Sequence, residues 1–544
     1  MNWTVRSEPS GNPLTDLHES SFHTVAHLYD GQDPHFQETY ARRAEEIVPK
    51  FSAAHRDQLV DTLSDHMRQL GANEASMRQL ERLRDERAVA VVTGQQAGLF
   101  TGPMFSIYKA ISTIELAARL ERELQRPVVP VFWVASEDHD WAEVNHAYIL
   151  DQHSDVKRLD LVVHAPLHQM VYNMQIEPTA VDKVVREAYE LLPDGPYKEE
   201  VFEFIRSAWN PGTSMPVWFA RILLKLLEPK GIVMVDPCLP KLRGLVGTVW
   251  TQALQTCDEV NRSLDEAYRQ VEDAGFTPAV VRDEKNTTLF YVQNGKRYVL
   301  ERTGTGTLRA RGLGLEKPIS DWIDIARKDP TQFSSNVLLR PVVQDHLLPT
   351  LAYVGGPAEV AYHALSRGVF HAFSRTLPPL LLRQRLTIYP AGVTRAMKKW
   401  GISLESVAKP VDLVSPVLAQ LGAGEIESAF SVYRAQSMLR WTEWKRTFGH
   451  LGPQVAAMAE AQVSREEKGL KRLEHKTLQL FRQQHMAHVR QIQQIQSWLW
   501  TDGTAQERRL CPLPVWVRYG FDWLHEMEGL GDYQAVLPVF HVEL

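Results

Sequence analysis

Residues 88–146 read AVAVVTGQQAGLFTGPMFSIYKAISTIELAARLERELQRPVVPVFWVASEDHDWAEVNH, and this stretch decides the fold. It opens on AVAVV (88–92), which is short, β-rich and apolar at every position. That is the pattern of a strand covered on both faces in a parallel sheet. TGQQAGLFTGP (93–103) follows, then a helix-forming segment over 104–122. A second apolar strand, 128–134, runs into ASEDHDWAEVNH (135–146). Strand, glycine-rich turn, helix, strand is a βαβ unit, and its crossover is expected to be right-handed.

Working outward, residues 36–87 place Ile47, Phe51, Leu59, Leu63 and Met67 at helical spacing and read as two helices. A third strand at 231–235 leads into Asp236-Pro237. A fourth at 350–354 leads into Gly355-Gly356-Pro357 and a new helix. Together these predict a doubly wound α/β core with its polar loops gathered at the carboxyl ends of the strands. TLFYVQNGKRYV (288–299) carries Asn294-Gly295 between β-rich runs, the signal of a hairpin with a type I′ turn. Much of 151–328 therefore reads as insertions into the core. Residues 425–448 and 453–500 read as two long helices joined by 449–453. In the second, Val463, Leu470, Leu473, Thr477 and Leu480 follow a heptad, and Val489, Ile492 and Leu499 continue it on a shifted register. The expected division is a core over 1–155, inserted segments with further core strands over 156–328, and core again over 329–390. A coiled coil over 391–500 follows, and a tail over 501–544 returns to the core.

Composition narrows the function. The 544 residues carry a formal net charge of -6, with 44% hydrophobic and 23% charged residues. No bulk basic excess points to nucleic acid. No apolar run suits a signal sequence or a membrane span. Three scattered cysteines argue against a disulfide framework and fit a reducing compartment. The expectation is a soluble cytoplasmic protein.

Three constellations carry chemistry. In the first, Gly94, Gly98 and Gly102 allow close backbone approach to a ligand, and the helix start favours an anion. Gln95 and Gln96 can donate and accept hydrogen bonds, and Lys109 can neutralise a phosphate or carboxylate. The spacing is neither GxGxxG nor GxxxxGK[ST], and a plain tight turn is the rival reading. The second is Ser136, Glu137, Asp138, His139 and Asp140, followed by Glu143 and His146. Crowded acids around a histidine at a strand end mark a functional site. His139 is expected to serve as general base, its pKa raised by the neighbouring acids. Alternatively, His139, Glu143 and His146, at i, i+4 and i+7, share a helical face that could hold a divalent metal. A solvated helix start is the bland alternative. The third is Arg340 followed by Tyr353, Gly355, Gly356 and Glu359. Here Arg340 is the candidate for bidentate carboxylate recognition and Glu359 for a substrate amine, against an ordinary salt bridge and a helix-dipole acid.

With these residues in hand, a resemblance can be stated. TGQQAGLFTGP followed by YK (108–109), SEDHDWAEVNH (136–146), LRPVVQD (339–345) with YVGGPAE (353–359), and QER (506–508) with RYG (518–520) together resemble the cysteine ligases of bacillithiol biosynthesis, the BshC family. The likeness covers nearly the whole chain. It implies a Rossmann-like core with connective-peptide insertions, similar in plan to class I aminoacyl-tRNA synthetases, and a coiled coil that makes a homodimer. It implies ligation of L-cysteine to the amine of glucosaminyl-malate, with ADP associated beside the coiled coil. ATP or ADP, with magnesium as an allowed ion, are the cofactors so implied. No HIGH-like or KMSKS-like sequence occurs, so adenylate chemistry does not carry over from the synthetases. On this reading Lys109 and the glycine-loop amides offset an anion and His139 deprotonates the attacking ammonium. Asp138 and Asp140 hold the amine or a magnesium ion, and Arg340 holds the malate carboxylates. Two rivals stand beside it: a metal-dependent transferase or hydrolase in the same strand-end pocket, which metal analysis would separate, and a non-catalytic scaffold, against which the acid–histidine cluster speaks.

Overall fold

The computed structural model describes residues 2–228, 230–407, 412–527 and 536–544. The chain divides into two compact units, one comprising 1–152, 157–387 and 507–542, the other 153–156, 388–506 and 543–544.

In the first unit, strands Val89–Gln95 (β1), Val128–Val134 (β2), Val233–Val235 (β3), Thr350–Gly355 (β4) and Leu380–Leu382 (β5) form one sheet. Its order is β5-β4-β1-β2-β3, and every neighbouring pair is parallel. All of β2, β3 and β4 and all but the last residue of β1 are buried. This is why these segments show no polar alternation: helices cover both faces. On one face Val89, Val91, Leu351 and Val354 pack with Leu116 and Leu120 of helix α1 (Phe105–Leu124) and with Tyr40, Ala44 and Ile47. Burying each such leucine contributes roughly 1.5–3 kcal/mol.

From β1 the chain adds β2 and β3 on one side, then β4 and β5 on the other. The direction of winding therefore reverses between β1 and β4, and open α/β sheets bind ligands at the carboxyl ends flanking such a reversal. Helix α2 (Arg340–Leu347) precedes β4 and helix α3 (Pro357–Ala372) follows it. The start of α3 is fixed by Pro357 at its first position and by Glu359, whose Oε2 accepts the Gly356 N–H at 2.8 Å.

The inserted segment supplies four strands of a five-stranded antiparallel sheet, Asn286–Gln293, Lys296–Gly304, Thr307–Ala310 and Leu315–Pro318, and Phe333–Ser335, beyond the expected boundary at 328, adds the fifth. Asn294 (φ 51°) and Gly295 (φ 74°) are both left-handed, as a type I′ turn requires. The expected hairpin is present, and the sheet built around it is larger than its sequence signal. Residues 36–87 hold three helices, Gln37–Ile47, Ala53–Gln69 and Glu74–Glu81, rather than the expected two.

In the second unit, helices α4 (Gly424–Phe448) and α5 (Pro453–Gln484) run beside each other, cross-linked by Arg434–Glu474 at 2.5 Å and Lys445–Glu460 at 3.0 Å. The expected unbroken helix to residue 500 is instead divided at His485 (φ -99°, ψ 21°), and α6 (Met486–Leu499) begins anew. The apolar stripe explains the break. Leu473 and Leu480 of α5 are 58% and 53% exposed, whereas Val489, Ile492, Ile495 and Leu499 of α6 are buried, so the chain must turn to present the second set inward. Among the described residues no helix is long and apolar enough to cross a membrane. Part of the tail, residues 528–535, lies outside the described residues.

Candidate active site at the strand ends

At the winding reversal, the end of β1 and the start of α3 are tied together by one lysine. Lys109, in the second turn of α1, is 3% exposed, and its Nζ donates to Gly94 O and to Gln95 Oε1, each at 2.8 Å. It also pairs with Glu359 Oε2. Three acceptors use its three N–H bonds, so the ammonium expected to offset a ligand's charge is matched by Glu359. The Glu359 carboxyl works against its own burial, but Lys109 and Arg340 hold it below the usual carboxylate range. Tyr353 Oη donates to Glu359 Oε1 at 2.8 Å.

Arg340, the first residue of α2, donates through Nη2 to Tyr362 Oη. Tyr362 stacks on His363 with centroids 4.8 Å apart, and Tyr353 lies 4.7 Å from the same imidazole. His363 Nδ1 stands 2.7 Å from Glu359 O. A carbonyl only accepts, so Nδ1 carries the proton, and burial pushes the pKa down to about 4. Arg383 donates its backbone N–H to Gly355 O at 2.9 Å. Its two Nη atoms pair with Glu507 at 2.7 and 2.8 Å. Arg340 Nε and Arg383 Nε are both buried without a protein partner, so two guanidinium N–H groups remain for anionic oxygens. A Cβ on Gly356 would stand 3.4 Å from Glu359 Oε2 and 3.8 Å from Arg383 Nε.

The glycine loop is shaped by its own backbone. A Cβ on Gly98 would stand 2.8 Å from Gly102 Cα, and Gly102 has φ +67°. Between them Phe100 (φ 52°) and Thr101 (φ 72°) are left-handed and buried, a strained conformation held only because its surroundings over-determine it. The close approach expected of Gly98 toward a ligand is an approach to Gly102.

The acid–histidine loop, residues 136–140, leaves the end of β2. Ser136 Oγ donates to Asp236 Oδ1 just beyond β3, and burial raises the Asp236 carboxyl to about 6. Glu137 is buried and accepts from Ser335 Oγ at 3.2 Å. Asp138 accepts from Gln96 Nε2 (2.7 Å) and from the His139 N–H (2.7 Å), and its Oδ1 lies 3.5 Å from Arg297 Nη1. His139 Nδ1 is 3.5 Å from Asp138 Oδ1, yet buried and without a hydrogen bond. Its pKa is lowered, by burial first and then by Arg297, against the opposing pull of Asp138 and Asp140. The expected rise is thereby reversed, first because the imidazole is partly buried and then because Arg297, a cation that the sequence did not reveal as a neighbour, sits against the same loop. Asp140 is exposed and caps the one-turn helix Trp141–Val144, accepting from Glu143 N at 3.3 Å.

The helical face proposed for a metal does not form. His139 precedes that single turn, and His146 opens the strand His146–Leu150 with Nδ1 2.9 Å from Ala142 O. Among the described residues no group of three or more His, Cys, Asp and Glu side chains is placed to hold a metal ion.

Sequence reasoning missed Arg297, Arg383, His363, Asp236 and Glu507. Arg297 and Glu507 stand inside the NGKR turn and the QER triplet. Arg383 lies in no motif, and only the fold brings it to the site.

Residues 2–384 match the family model described as "Bacillithiol biosynthesis BshC, N-terminal Rossmann-like domain", and residues 386–532 match its "C-terminal coiled-coil domain". A protein of Desulforamulus reducens named "Putative cysteine ligase BshC" is 30% identical over 530 residues, covering 95% of each chain. One of the same name from Symbiobacterium thermophilum is 32% identical over 536 residues and 96% of each chain. A Rossmann-like domain followed by a coiled coil, matched over most of the chain, shows that the chain belongs to the BshC family of bacillithiol biosynthesis.

Proposed function

We propose that the chain is a carbon–nitrogen ligase joining the carboxyl of L-cysteine to the amine of glucosaminyl-malate, which yields bacillithiol. One observation carries the chemical reading: a histidine at the carboxyl end of β2 whose environment favours the free base and whose Nδ1 has no hydrogen-bond partner. The relatives' name as cysteine ligases supports the choice of cysteine.

A carboxylate is a poor acyl donor, and ATP would supply the activation, either as an acyl-phosphate with loss of ADP or as an acyl-adenylate with loss of pyrophosphate, so that the amine would expel phosphate or AMP as the amide forms. The attacking amine reaches the site protonated and must lose a proton before it is a nucleophile. His139, as general base, accepts that proton. Asp140, exposed at the loop's edge, attracts the incoming ammonium. Arg340 and Arg383, each with a buried Nε–H unspent, fit anionic oxygens, with the malate carboxylates assigned to Arg340. Lys109 and Glu359 hold the ends of β1 and β4 in register, and Asp138 pins the histidine loop. Magnesium enters with the nucleotide, whose phosphates ordinarily carry it. Two copies associate through the exposed leucines of α5, and the reaction belongs in the cytoplasm, where ATP is supplied.

Thiol analysis tests this reading. Cells lacking the gene should accumulate glucosaminyl-malate and lack bacillithiol. Wild-type protein restores the thiol, and His139→Asn does not, because loss of a general base costs roughly 100- to 10,000-fold in rate. Near-normal bacillithiol in His139→Asn cells overturns the role given to this residue.

A further inference from the structure

Arg297 is the second residue of the inserted strand Lys296–Gly304, yet its side chain serves the loop at the end of β2. It is 5% exposed. Its Nε donates to Ser334 Oγ at 2.9 Å and its Nη2 to Ser335 O at 2.6 Å. The guanidinium lies 4.0 Å from the Phe290 ring centroid, and Nη1 reaches to 3.5 Å from Asp138 Oδ1. The neighbouring backbone repeats the connection. Arg297 N–H donates to His168 O (2.9 Å), Met170 N–H to Gly295 O (2.9 Å), Val171 N–H to Asp138 O (2.7 Å) and Tyr172 N–H to Ser136 O (3.0 Å). Residues 168–172 thus form a strap between the hairpin turn and the histidine loop.

We propose that Arg297 is the positioning residue of this loop: it fastens Asp138 to the inserted sheet, offsets that carboxylate's charge, and so keeps Asp138 from capturing the His139 imidazole. A bare carboxylate 3.5 Å from Nδ1 would draw the ring into an ion pair and stabilise its protonated form. With Gln96, the His139 N–H and Arg297 all directed at Asp138, the imidazole stays outside that network. The groups facing His139 are Asp138 and Asp140 of its own loop, His168 of the strap, and Arg297 and Phe290 of the inserted sheet. Arg297 and His168 disfavour its charge, while Asp138 and Asp140 favour it.

The inference rests on the reading of His139 as base, and the experiment separates the two. The His139 imidazole is followed by NMR across pH in full-length protein labelled at histidine, with His139→Asn assigning the signal. Arg297→Met should raise the titration midpoint by on the order of one pH unit, and Arg297→Lys, which keeps the charge, should restore most of the difference. An unchanged midpoint in folded Arg297→Met overturns the proposal. Should that variant fail to fold, Asp138→Asn serves instead: with Arg297 left uncompensated the midpoint falls, and a midpoint that holds or rises overturns the proposal. Bacillithiol content is measured in parallel. A raised midpoint with normal bacillithiol retires His139 as base while the role of Arg297 stands.

Discussion

Arg383 and Glu507, 124 positions apart in the chain, face each other in a two-pronged ion pair with N–O distances of 2.7 and 2.8 Å, and both are buried. The pair secures the segment after residue 506 to the end of β5, one residue from the Gly355 carbonyl that the Arg383 N–H engages. Removing one partner leaves an uncompensated charge in a poorly solvated place. Glu507→Ala should therefore lower the free energy of unfolding by roughly 3–5 kcal/mol, read by urea denaturation. The double change Arg383→Met with Glu507→Leu should recover part of that loss, since no bare charge then remains. A stability equal to wild type in Glu507→Ala would show that the pair is dispensable.

The glycine loop should fail by unfolding before it fails by binding. Gly102 combines φ +67° with ψ -156°, a region open essentially to glycine alone, so Gly102→Ala should cost about 1–3 kcal/mol. Gly98→Ala meets Gly102 Cα and should be destabilising as well. Melting temperatures decide the matter: unchanged values would mean that the loop tolerates a Cβ and that a bound ligand, not the backbone, demands glycine here.

Self-association should depend on α5. Leu473 and Leu480 are more than half exposed, on a helix that is otherwise largely polar, which fits a seam awaiting a second helix. Leu473→Glu with Leu480→Glu should give folded monomers by light scattering. Variants that remain dimeric would move the interface elsewhere.

Acid should weaken the protein through His363. Its folded pKa, about 4, lies below its unfolded value near ~6.5. The folded state thus binds fewer protons between these limits, and its stability rises with pH across that window and is lost as pH falls through it. His363→Phe keeps an aromatic ring between Tyr353 and Tyr362 and removes the titration. The slope of unfolding free energy against pH, from urea midpoints between pH 4 and 6.5, should fall by up to about 1.4 kcal/mol per pH unit. An unchanged slope would place the titrating group elsewhere.

What the sequence discloses here depends on range. Four of the five sheet strands announce themselves, because residues buried on both faces must be uniformly apolar, whereas Leu380–Leu382, a three-residue edge strand with Leu381 only half-buried, escapes. Asn294-Gly295 fixes its turn locally and is legible for the same reason. The motifs locate both strand ends of the candidate site, and His139 and Arg340 emerge from them. Charge partners are another matter. Lys109 reads as a free cation until Glu359, 250 positions on, is seen beside it. His139 reads as acid-flanked until Arg297 arrives from the inserted sheet. Spacing along a chain reports which groups are present, while the sign of a pKa shift depends on how deeply the fold buries the group and on which distant charges come near.

Thr93 Oγ1 donates to Val354 O, 261 positions further along the chain, at 2.7 Å, so adjacent strands of the sheet emerge from the ribosome far apart in time. At 5–20 residues per second, β1 waits roughly 13–50 s for β4. Throughout that interval its row of N–H and C=O groups on that side has no partner, and β1 has no proline or charge to blunt the edge. A truncated chain ending before Thr350 keeps that edge open for good, which leaves β1 exposed to cross-molecular pairing. Nascent-chain protection is thus a requirement of the strand order itself.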